Sequence, residues 1–317
     1  MLTSAPCKTD LELHDEPTLF SQGRFVNAIV RTTKGPVRPI ELRSATSHST
    51  LFGMKTLHSF GRQSVALAPF GLYAHPSRGG DLDASLRDIV RQLKTWSTVS
   101  FEWNVRFDHG ELAQQLLTQQ IPFHRTMTHT LLLDRDYEAS FARFDSTARN
   151  LVRRARRQGL LVRTTHDAND VGAYYEVYTR MASQKGNHSG LHPRALFDEL
   201  LKLHDDVIFV VADFANKIIG GAWFFRDGGA FFYFHAAMDL NYSGHSPSYA
   251  IIDYAIRMAH EEGRKVVNFG GSGGIASLEQ FKAKWGAKPQ YCWRFNWRNP
   301  LWQTVQNVRS MWRLHAP

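Results

Sequence analysis

The sequence lacks the features that mark several large classes of protein. Its 317 residues contain only two cysteines, Cys7 and Cys292, which excludes a disulfide framework and a cysteine-based zinc site and fits a reducing compartment. The apolar runs VIFVVADF and GGAWFF end far short of the roughly 20 residues that span a bilayer. The N-terminus has no basic start followed by an apolar core, so it does not resemble a secretory signal. We therefore expect a cytoplasmic protein, with the inner membrane face as the alternative location.

Acidic residues are missing from two long segments. No Asp or Glu lies between Asp145 and Asp167, and none follows Glu279. The first segment contains Arg149, Arg153, Arg154, Arg156, Arg157 and Arg163. Together with a formal net charge of +9, this distribution predicts attraction to nucleic acid, a nucleotide-linked substrate or an acidic membrane face. A solvated helix face is the structural alternative.

What the sequence does contain is the pattern of a folded α/β protein. A composition of 43% hydrophobic and 21% charged residues is typical of a chain with a buried core, and the length favours two domains. Residues 206–239 hold three β-rich runs separated by ANK and RDGG, which predicts an antiparallel meander. A helix from Ser246 to Gly263, the short strand KVVNF and the late strand QYCWRFNW follow.

Other elements are predicted around this meander. Two helices precede it, with Asp170 as an N-cap and Pro193 in a first turn. In the first half, PVRPIEL, VSFEWNV and THTLLLD read as strands, and helices are predicted near 84–94 and 111–119. The segment FDSTARNLVRRARRQGL is predicted to form a helix between the halves, which would align Arg149, Arg153 and Arg156 or Arg157 on one side.

The glycine-rich stretch NFGGSGG follows the last short strand. Gly271, Gly273 and Ala276 match the dinucleotide pattern G-x-G-x-x-A. The dinucleotide-binding fold requires an acidic residue about 20 residues later, and none is present. A phosphate-binding P-loop is excluded as well, because the lysine and the Ser or Thr that it needs after the glycines are absent. We therefore interpret the glycines as a backbone turn whose amides could also hold a carbonyl or phosphate at a helix N-terminus, with Ser272 or Ser277 capping the helix.

Four motifs occur in order between Ser146 and Trp297: RNLVRRARRQG; YEVYTRMASQKG; GGAWFF with FFYFHAAMDLNYSGHSPSYAIIDYAIRMAHEEG; and VNFGGSGG with LEQFKAKWGA. This order resembles the Fem-type transferases of the GNAT acyltransferase superfamily, which include the aminoacyl-tRNA-dependent peptidyltransferases of peptidoglycan synthesis. The most specific piece is F-G-G-S followed by L-x-x-F-K-x-x-W-G-A. The resemblance implies a mixed α/β fold with a degenerate GNAT-like domain at 1–144, an acyltransferase domain at 145–317, and a last helix, 300–317, that packs back on the first domain.

The resemblance also implies roles for individual residues. Lys282 would contact the donor end or the developing charge, and Tyr249 would offer its hydroxyl to the reacting carbonyl. His192 and Arg194 lie near the place where cell-wall members bind a nucleotide-sugar phosphate, although LHPR replaces the family's H-R-P order. Gly271, Ser272 and Gly273 would bind substrate. The expected reaction moves an acyl or aminoacyl group to an amine of a cell-envelope precursor, a polysaccharide-linked sugar or a small metabolite.

Two donors stay open, and neither would be a tightly bound cofactor. Coenzyme A enzymes of this superfamily carry Q/R-x-x-G-x-G/A after the central strand, whereas DLNYSGHSPSYA has Gly244 without that pattern. This difference favours aminoacyl-tRNA as the donor. So does the arginine cluster, which we expect to bind RNA phosphates; it consists of Arg149, Arg153, Arg154, Arg156 and Arg157. The alternatives are an acyl-CoA-dependent metabolite N-acetyltransferase and a non-catalytic nucleic-acid or envelope-assembly binding protein.

Two further patterns bear on metals and membranes. None of the fifteen histidines forms H-E-x-x-H or another tight ligand cluster, so no metal is expected. In the segment 300–317, apolar residues recur at helical spacing beside Arg309 and Arg313. Such a stripe is typical of a helix that packs on its own protein, and a peripheral membrane contact is the alternative.

Overall fold

The structure is a computed structural model that describes residues 18–44, 50–68, 70, 72–74, 82–106, 109–186, 191–302 and 304. These residues form two compact units. The first comprises the described residues up to Thr126 and those from Tyr291 onward, and the second is Met127–Gln290. No helix of this described part is long and apolar enough to cross a membrane.

The elements follow one another in the mixed α/β order that the sequence predicts. They are α1 (Gly23–Thr32), β1 (Val37–Arg43), β2 (Thr50–Leu57), β3 (Gln63–Leu67), α2 (Leu82–Leu93), β4 (Thr98–Val105), α3 (Gly110–Thr118), β5 (Phe123–Leu132), α4 (Tyr137–Arg143), α5 (Ser146–Arg157), β6 (Leu161–Thr164), α6 (Ala168–Gln184), α7 (Arg194–Leu201), β7 (Val207–Phe214), β8 (Lys217–Asp227), β9 (Ala230–Met238), α8 (Pro247–Glu261), β10 (Val266–Asn268), α9 (Ala276–Ala283) and β11 (Lys288–Arg298). Short 3-10 helices span Leu19–Ser21, Ser59–Gly61 and Leu240–His245.

Each unit contains a set of paired strands of mixed direction. In the first unit the strand order is β1-β2-β3-β4-β11, with only β3 and β4 parallel. In the second the order is β5-β10-β9-β8-β7-β6, with only β10 and β9 parallel. The predicted mixed α/β class is therefore confirmed.

The meander β7-β8-β9 forms the core of the second unit. Its strands are apolar on both faces because helices cover both. On one face Phe209 stacks on Trp223, with ring centroids 4.2 Å apart, and both rings contact Tyr174 of α6. On the other face Phe224 packs in a buried cluster with Ile251 and other residues of α8. Because side chains alternate along a strand, each β9 side chain points to one of two faces. One is covered by α6 and α7 and is called the α6–α7 face; the other is covered by α8 and is called the α8 face.

The sheet opens into a wedge beside β9. Strand β10 is only three residues long, and its pairing with β9 ends at Asn268 and Phe232. Strand β9 continues to Met238, where it is still paired with β8. A register shift between Trp223 and Phe224 of β8 marks a β-bulge at Phe234 of β9, a feature that often re-aims side chains next to active sites. The wedge exposes one edge of β9 after Phe232.

Several sequence predictions are confirmed, and a few positions need correction. The meander, the helix opened at Ser246, the KVVNF strand and the arginine-rich helix all form where predicted. The N-cap of α6 is Asp167 and not Asp170, whose carboxylate accepts from Arg163 instead. Pro193 is the N-cap of α7 and does not lie within its first turn. No predicted element corresponds to α1, β2, β3, α4 or β6.

The border between the units differs from the predicted one at residues 144 and 145. It falls early in β5, and β11 belongs with the first unit. Both helices that flank the predicted border contribute to the second unit: Phe144 packs edge-to-face on Trp285, and the Asp145 amide donates to the Lys284 carbonyl. Of the predicted helix 300–317, residues 303 and 305–317 lie outside the described residues.

A glycine in β8 provides a test of how tightly the face below α6 is packed. A Cβ at Gly221 would lie 2.7 Å from Cδ2 of Tyr174, a fully buried ring that has no room to shift. We expect Gly221→Ala to lower the free energy of unfolding by about 1–3 kcal/mol through overpacking, measured by denaturant titration.

The matched control is Gly172→Ala within α6. Its Cβ would approach no closer than 3.4 Å to the flexible end of Arg194, and alanine is favoured over glycine in a helix. This variant should be neutral or stabilising. Equal destabilisation by both substitutions would contradict the packing described.

Candidate active site

A cavity of about 460 Å³ lies on the α8 face of β9, where the wedge opens. Ala236, Ala237 and Met238 line it from the strand, and α5, α6, α8 and α9 supply its other walls. Its apolar wall consists of Leu151, Met181, Met238, Leu278 and Phe281, and its polar groups are Arg154, Lys185, Tyr233, Ser243, Ser246, Ser248 and Tyr249. An apolar wall with a few convergent polar groups is typical of a small-molecule site of this size.

Tyr249 reaches the cavity from the first turn of α8. Its ring is half-buried between Phe281, at 5.4 Å, and Trp285, at 5.5 Å between centroids. Burial raises the pKa of the Tyr249 hydroxyl, so the group stays protonated at neutral pH and can donate a hydrogen bond. The structure therefore brings this predicted residue to the cavity with a suitable donor group.

Arg154 reaches the same cavity from α5. Its guanidinium lies 3.9 Å from the point where a Cβ of Gly244 would stand, so the glycine leaves room beside it. Lys185, at the C-cap of α6, lines the cavity too. Two cationic side chains thus flank the cavity beside the N-terminus of α8, an arrangement suited to an anionic ligand.

The loop between β9 and α8 uses its amides internally. The Asn241 amide donates to the Asp239 side chain, and the amides of Tyr242 and Ser246 donate to carbonyls within the loop. The amides of Tyr249 and Ala250 donate to the Ser246 carbonyl. Pro247 has no N–H. The loop is therefore a 3-10 turn in which these amides are bonded internally and do not point at a phosphate.

The glycine corner follows β10 and is tied down by a buried lysine. Lys282 is only 4% exposed, and its Nζ donates to the carbonyls of Gly270 at 2.8 Å and Gly271 at 2.7 Å. Gly270 has a φ of +69°, and a Cβ at Gly271 would lie 3.1 Å from the Met127 carbonyl. These glycines are needed for the turn and for the close approach of the backbone.

Four further polar side chains complete the corner. Asn268 Oδ1 accepts from the Gly270 amide and from Thr128 Oγ1. Ser272 Oγ lies 3.5 Å from His129 Nδ1, and both residues are 4% exposed. Ser272 therefore does not cap α9, whose N-cap is Ile275. GGSGG also fits the nucleophile spacing G-x-S-x-G, but this serine is buried.

Burial changes the protonation of the corner. Desolvation lowers the pKa of Lys282 to about 8, with Glu279 opposing the shift. Desolvation also lowers the pKa of His129, helped by the nearby Lys282 charge. A neutral imidazole beside a buried ammonium is the arrangement expected near pH 7. The structure thus brings together four predicted site residues: Gly271, Ser272, Gly273 and Lys282. Tyr249 lies in the wall of the neighbouring cavity, where its ring contacts Phe281.

The arginine-rich helix α5 divides its charges between two surroundings. Arg149 donates to carbonyls at the end of α4, and Arg153 lies over the Phe141 ring at 5.4 Å. Arg156 donates to the Tyr137 hydroxyl and pairs with Asp253 at 2.8 Å. The side predicted from i, i+4, i+7 spacing therefore exists and packs on α4. Arg154 faces the cavity instead, and Arg157 is exposed.

His192 and Arg194 lie on the opposite face of β9 from Tyr249. The His192 ring is 5.4 Å from His235, which follows the bulge, and its backbone N–H donates to the Tyr178 hydroxyl. Arg194 is an exposed helix residue that pairs with Asp198 at 3.7 Å. The structure thus places these two residues apart from the glycine corner.

The sequence analysis missed the histidine pocket formed by His192, His235, Tyr174 and Tyr178. His235 bonds to the Tyr174 hydroxyl at 2.5 Å, and burial lowers its pKa to about 3, with His192 adding to the shift. His192 was predicted near a phosphate-binding place, whereas His235 was considered only among possible metal ligands; in the described residues no three His, Cys, Asp or Glu side chains gather as a metal site would require. The available signal for this pocket was the sequence HAA, which directly follows the aromatic run FFYF within β9.

Comparisons with known proteins fit this geometry. Residues 140–283 match the model of an acetyltransferase (GNAT) domain. The solved structure of FemX shares the fold with a TM-score of 0.71 at 13% identity, covering 90% of this chain and 94% of that one. The C-terminal domain of a candidate lysylphosphatidylglycerol synthetase from Agrobacterium fabrum gives 0.61 at 11% identity, covering 91% and 94%. L-PGS from Bacillus licheniformis gives 0.59 at 12%, covering 91% and 95%. No curated protein sequence matches the chain.

The family-model match supports an acyltransferase of the GNAT class. The matched segment contains the arginine helix, the meander, α8, the glycine corner and Lys282. Residues 140–283 match the GNAT acetyltransferase family, and the chain as a whole has a fold like that of FemX. The predicted resemblance is confirmed at this level, and the predicted assignment as an acyltransferase with it.

Lys282 allows a test of its burial that does not depend on activity. Its pKa is lowered from 10.5 to about 8 on folding, so between these pH values the unfolded state binds more protons than the folded state. The free energy of unfolding contributed by this group therefore rises with pH across that window. We expect Lys282→Met to remove a rise of about 3 kcal/mol at most, measured by denaturant titration at pH 7.5 and pH 10.

Lys217→Met is the matched control, because this lysine is exposed at the start of β8. It should show the same pH slope as the unmodified protein. An unchanged slope in Lys282→Met would contradict a desolvated ammonium at the glycine corner.

Proposed function

We propose that this protein transfers an aminoacyl group from aminoacyl-tRNA to the amine of a cell-envelope precursor, a polysaccharide-linked sugar or a small metabolite. The observation that carries the proposal is the wedge cavity, whose lining includes two cationic side chains and a phenol and which lies next to a loop where the amides of Asn241, Tyr242 and Ser246 are already bonded. A donor held by side-chain charge and not by an amide cradle fits this site better than a coenzyme A pyrophosphate.

The donor is expected to enter on the α8 face. Arg154 and Lys185 would hold the terminal phosphates of the acceptor stem, and the apolar wall would enclose the aminoacyl side chain. The ester carbonyl would then lie along the free edge of β9 beside the Tyr249 hydroxyl. Donors placed at the developing oxyanion lower the barrier for acyl transfer.

The acceptor amine is expected to approach through the wedge from the face of His192 and His235. Both imidazoles are kept neutral by burial, so this side does not repel an ammonium as a charged histidine would. The neutral amine attacks the ester carbonyl, the amide C–N bond forms, and the ester C–O bond breaks. The amine proton passes to the departing ribose oxygen, so no protein base is required.

Lys282 is proposed to act as a positioning residue in this scheme. Its ammonium donates to two carbonyls of the glycine corner and so fixes the corner at the apex of the wedge. The corner in turn decides where β10 leaves the sheet. This role places Lys282 behind the reacting carbonyl, which Tyr249 and the β9 edge would contact directly.

An acyl-CoA-dependent N-acyltransferase is the second candidate. The matched family model describes an acetyltransferase domain, and that match covers the wedge and the loop beside it. The two candidates differ in donor and share the acceptor chemistry. The third possibility, a non-catalytic binding protein, is not supported, because the family match is to an acyltransferase.

The donor is tested by incubating the purified protein with radiolabelled aminoacyl-tRNA, and separately with acetyl-coenzyme A, across a panel of amines. We expect label to pass from the tRNA to an amine and RNase pretreatment to abolish transfer. Transfer from the thioester alone, insensitive to RNase, would replace the proposed donor with coenzyme A.

Two cavity residues should affect different kinetic constants. Arg154→Gln is expected to raise the KM for the donor about tenfold or more, because a charge-assisted contact is lost. Tyr249→Phe is expected to lower kcat about a hundredfold with little change in KM, because its hydroxyl acts on the developing charge. Steady-state kinetics with the active donor measures both.

Arg135→Gln is the control for lost charge, since Arg135 is exposed and lies outside the cavity. It should leave both constants unchanged. An effect of Tyr249→Phe on KM alone would remove its proposed role at the carbonyl.

A further inference from the structure

Three large apolar side chains project into solvent at one end of the first unit's sheet. Phe60 is 84% exposed, Trp96 72% and Leu301 71%. Phe60 lies in the turn from β2 to β3, Trp96 just before β4, and Leu301 just after β11. Because β3 and β4 are parallel and β11 is antiparallel to β4, these three positions meet at the same end of the sheet.

Direct contacts join the three loops into one surface, here called the aromatic end. Arg62 lies over the Trp302 ring at 4.5 Å and over the Phe60 ring at 5.6 Å. Trp302 Nε1 donates to the Trp96 carbonyl at 3.1 Å. The aromatic end therefore consists of Phe60, Arg62, Trp96, Leu301 and Trp302, held in a fixed arrangement by stacking and a hydrogen bond.

The backbone holds Phe60 away from the protein. Its φ is +60°, in the left-handed region that a bulky residue rarely adopts, and Gly61 follows with +67°. The turn stays closed by a hydrogen bond from the His58 amide to the Arg62 carbonyl. A large ring held outward in an unfavourable backbone conformation suggests that its exposure has a purpose.

The charge of these loops has a single sign. Segments 55–63, 94–98 and 298–302 contain no Asp or Glu and carry Lys55, Arg62, Lys94 and Arg298. Lys94 and Arg298 are exposed. Apolar tips surrounded by cations match the boundary of a bilayer with anionic headgroups, where aromatic rings enter the interface and cations meet phosphates.

We propose that the aromatic end docks on an anionic membrane surface. A lipid surface fits better than a protein partner, because the apolar groups stand on three separate loop tips with cations between them. An apolar protein interface would instead present a contiguous patch from which charge is depleted. The proposal does not depend on the donor or acceptor of the acyl transfer.

The test is co-flotation of the full chain with vesicles of phosphatidylcholine, with and without phosphatidylglycerol. We expect binding only to the anionic vesicles and weaker binding at high salt. The triple variant Phe60→Ser, Trp96→Ser and Leu301→Ser should bind about tenfold or more weakly, because the side chains that enter the interface are gone. Circular dichroism should show all variants folded, since the three side chains are exposed.

Leu161→Ser is the matched control, because Leu161 is an exposed leucine of the second unit, and it should bind like the unmodified protein. Quenching of tryptophan fluorescence by brominated lipid should also fall in Trp96→Phe. The proposal is overturned if the unmodified protein floats with neither vesicle, if the triple variant binds as tightly as the unmodified protein, or if neutral and anionic vesicles bind equally.

Discussion

The site depends on two hydrogen bonds from one buried ammonium, that of Lys282, to the carbonyls of Gly270 and Gly271. They hold the chain in a corner directly after β10, so that β10 ends after three residues while β9 runs on for six more. The resulting wedge leaves the β9 edge free of a partner strand over the described residues beyond Phe232. A parallel pair of full length would close this gap and remove the cavity.

The two faces of β9 then acquire different chemistry from the helices that cover them. On the α8 face, Arg154 and Lys185 bring positive charge to a cavity that also contains the protonated hydroxyl of Tyr249. On the α6–α7 face, burial keeps His192 and His235 neutral. The proposed acyl transfer rests on this difference, with an anionic donor on the cationic face and the amine on the uncharged one. The bulge at Phe234 turns His235 toward the second face.

Local patterns in the sequence predicted the parts of this site but not their surroundings. The β-rich runs and the turn residues between them were enough for the meander, and the F-K-x-x-W-G-A motif identified the helix of Lys282. The motif does not show that the ammonium turns inward, because that depends on where the Gly270 carbonyl lies. Helical spacing likewise grouped Arg149, Arg153 and Arg156 correctly, yet only the packing of α4 shows that they face protein while Arg154 faces the cavity. The first unit includes β11 because β11 pairs with β4, nearly two hundred residues earlier, a contact that no local pattern records.

The central claim is that the donor carbonyl binds in the wedge beside Tyr249. The most direct measurement is a crystal structure of the protein with a non-hydrolysable amide analogue of an aminoacylated terminal adenosine. The account predicts the analogue's carbonyl oxygen within hydrogen-bond distance of the Tyr249 hydroxyl, its phosphate side toward Arg154, and Lys282 still bonded to the glycine carbonyls. The claim would be contradicted if the analogue bound elsewhere and left the cavity empty. It would also be contradicted if Lys282 left the glycine carbonyls and contacted the analogue's carbonyl itself.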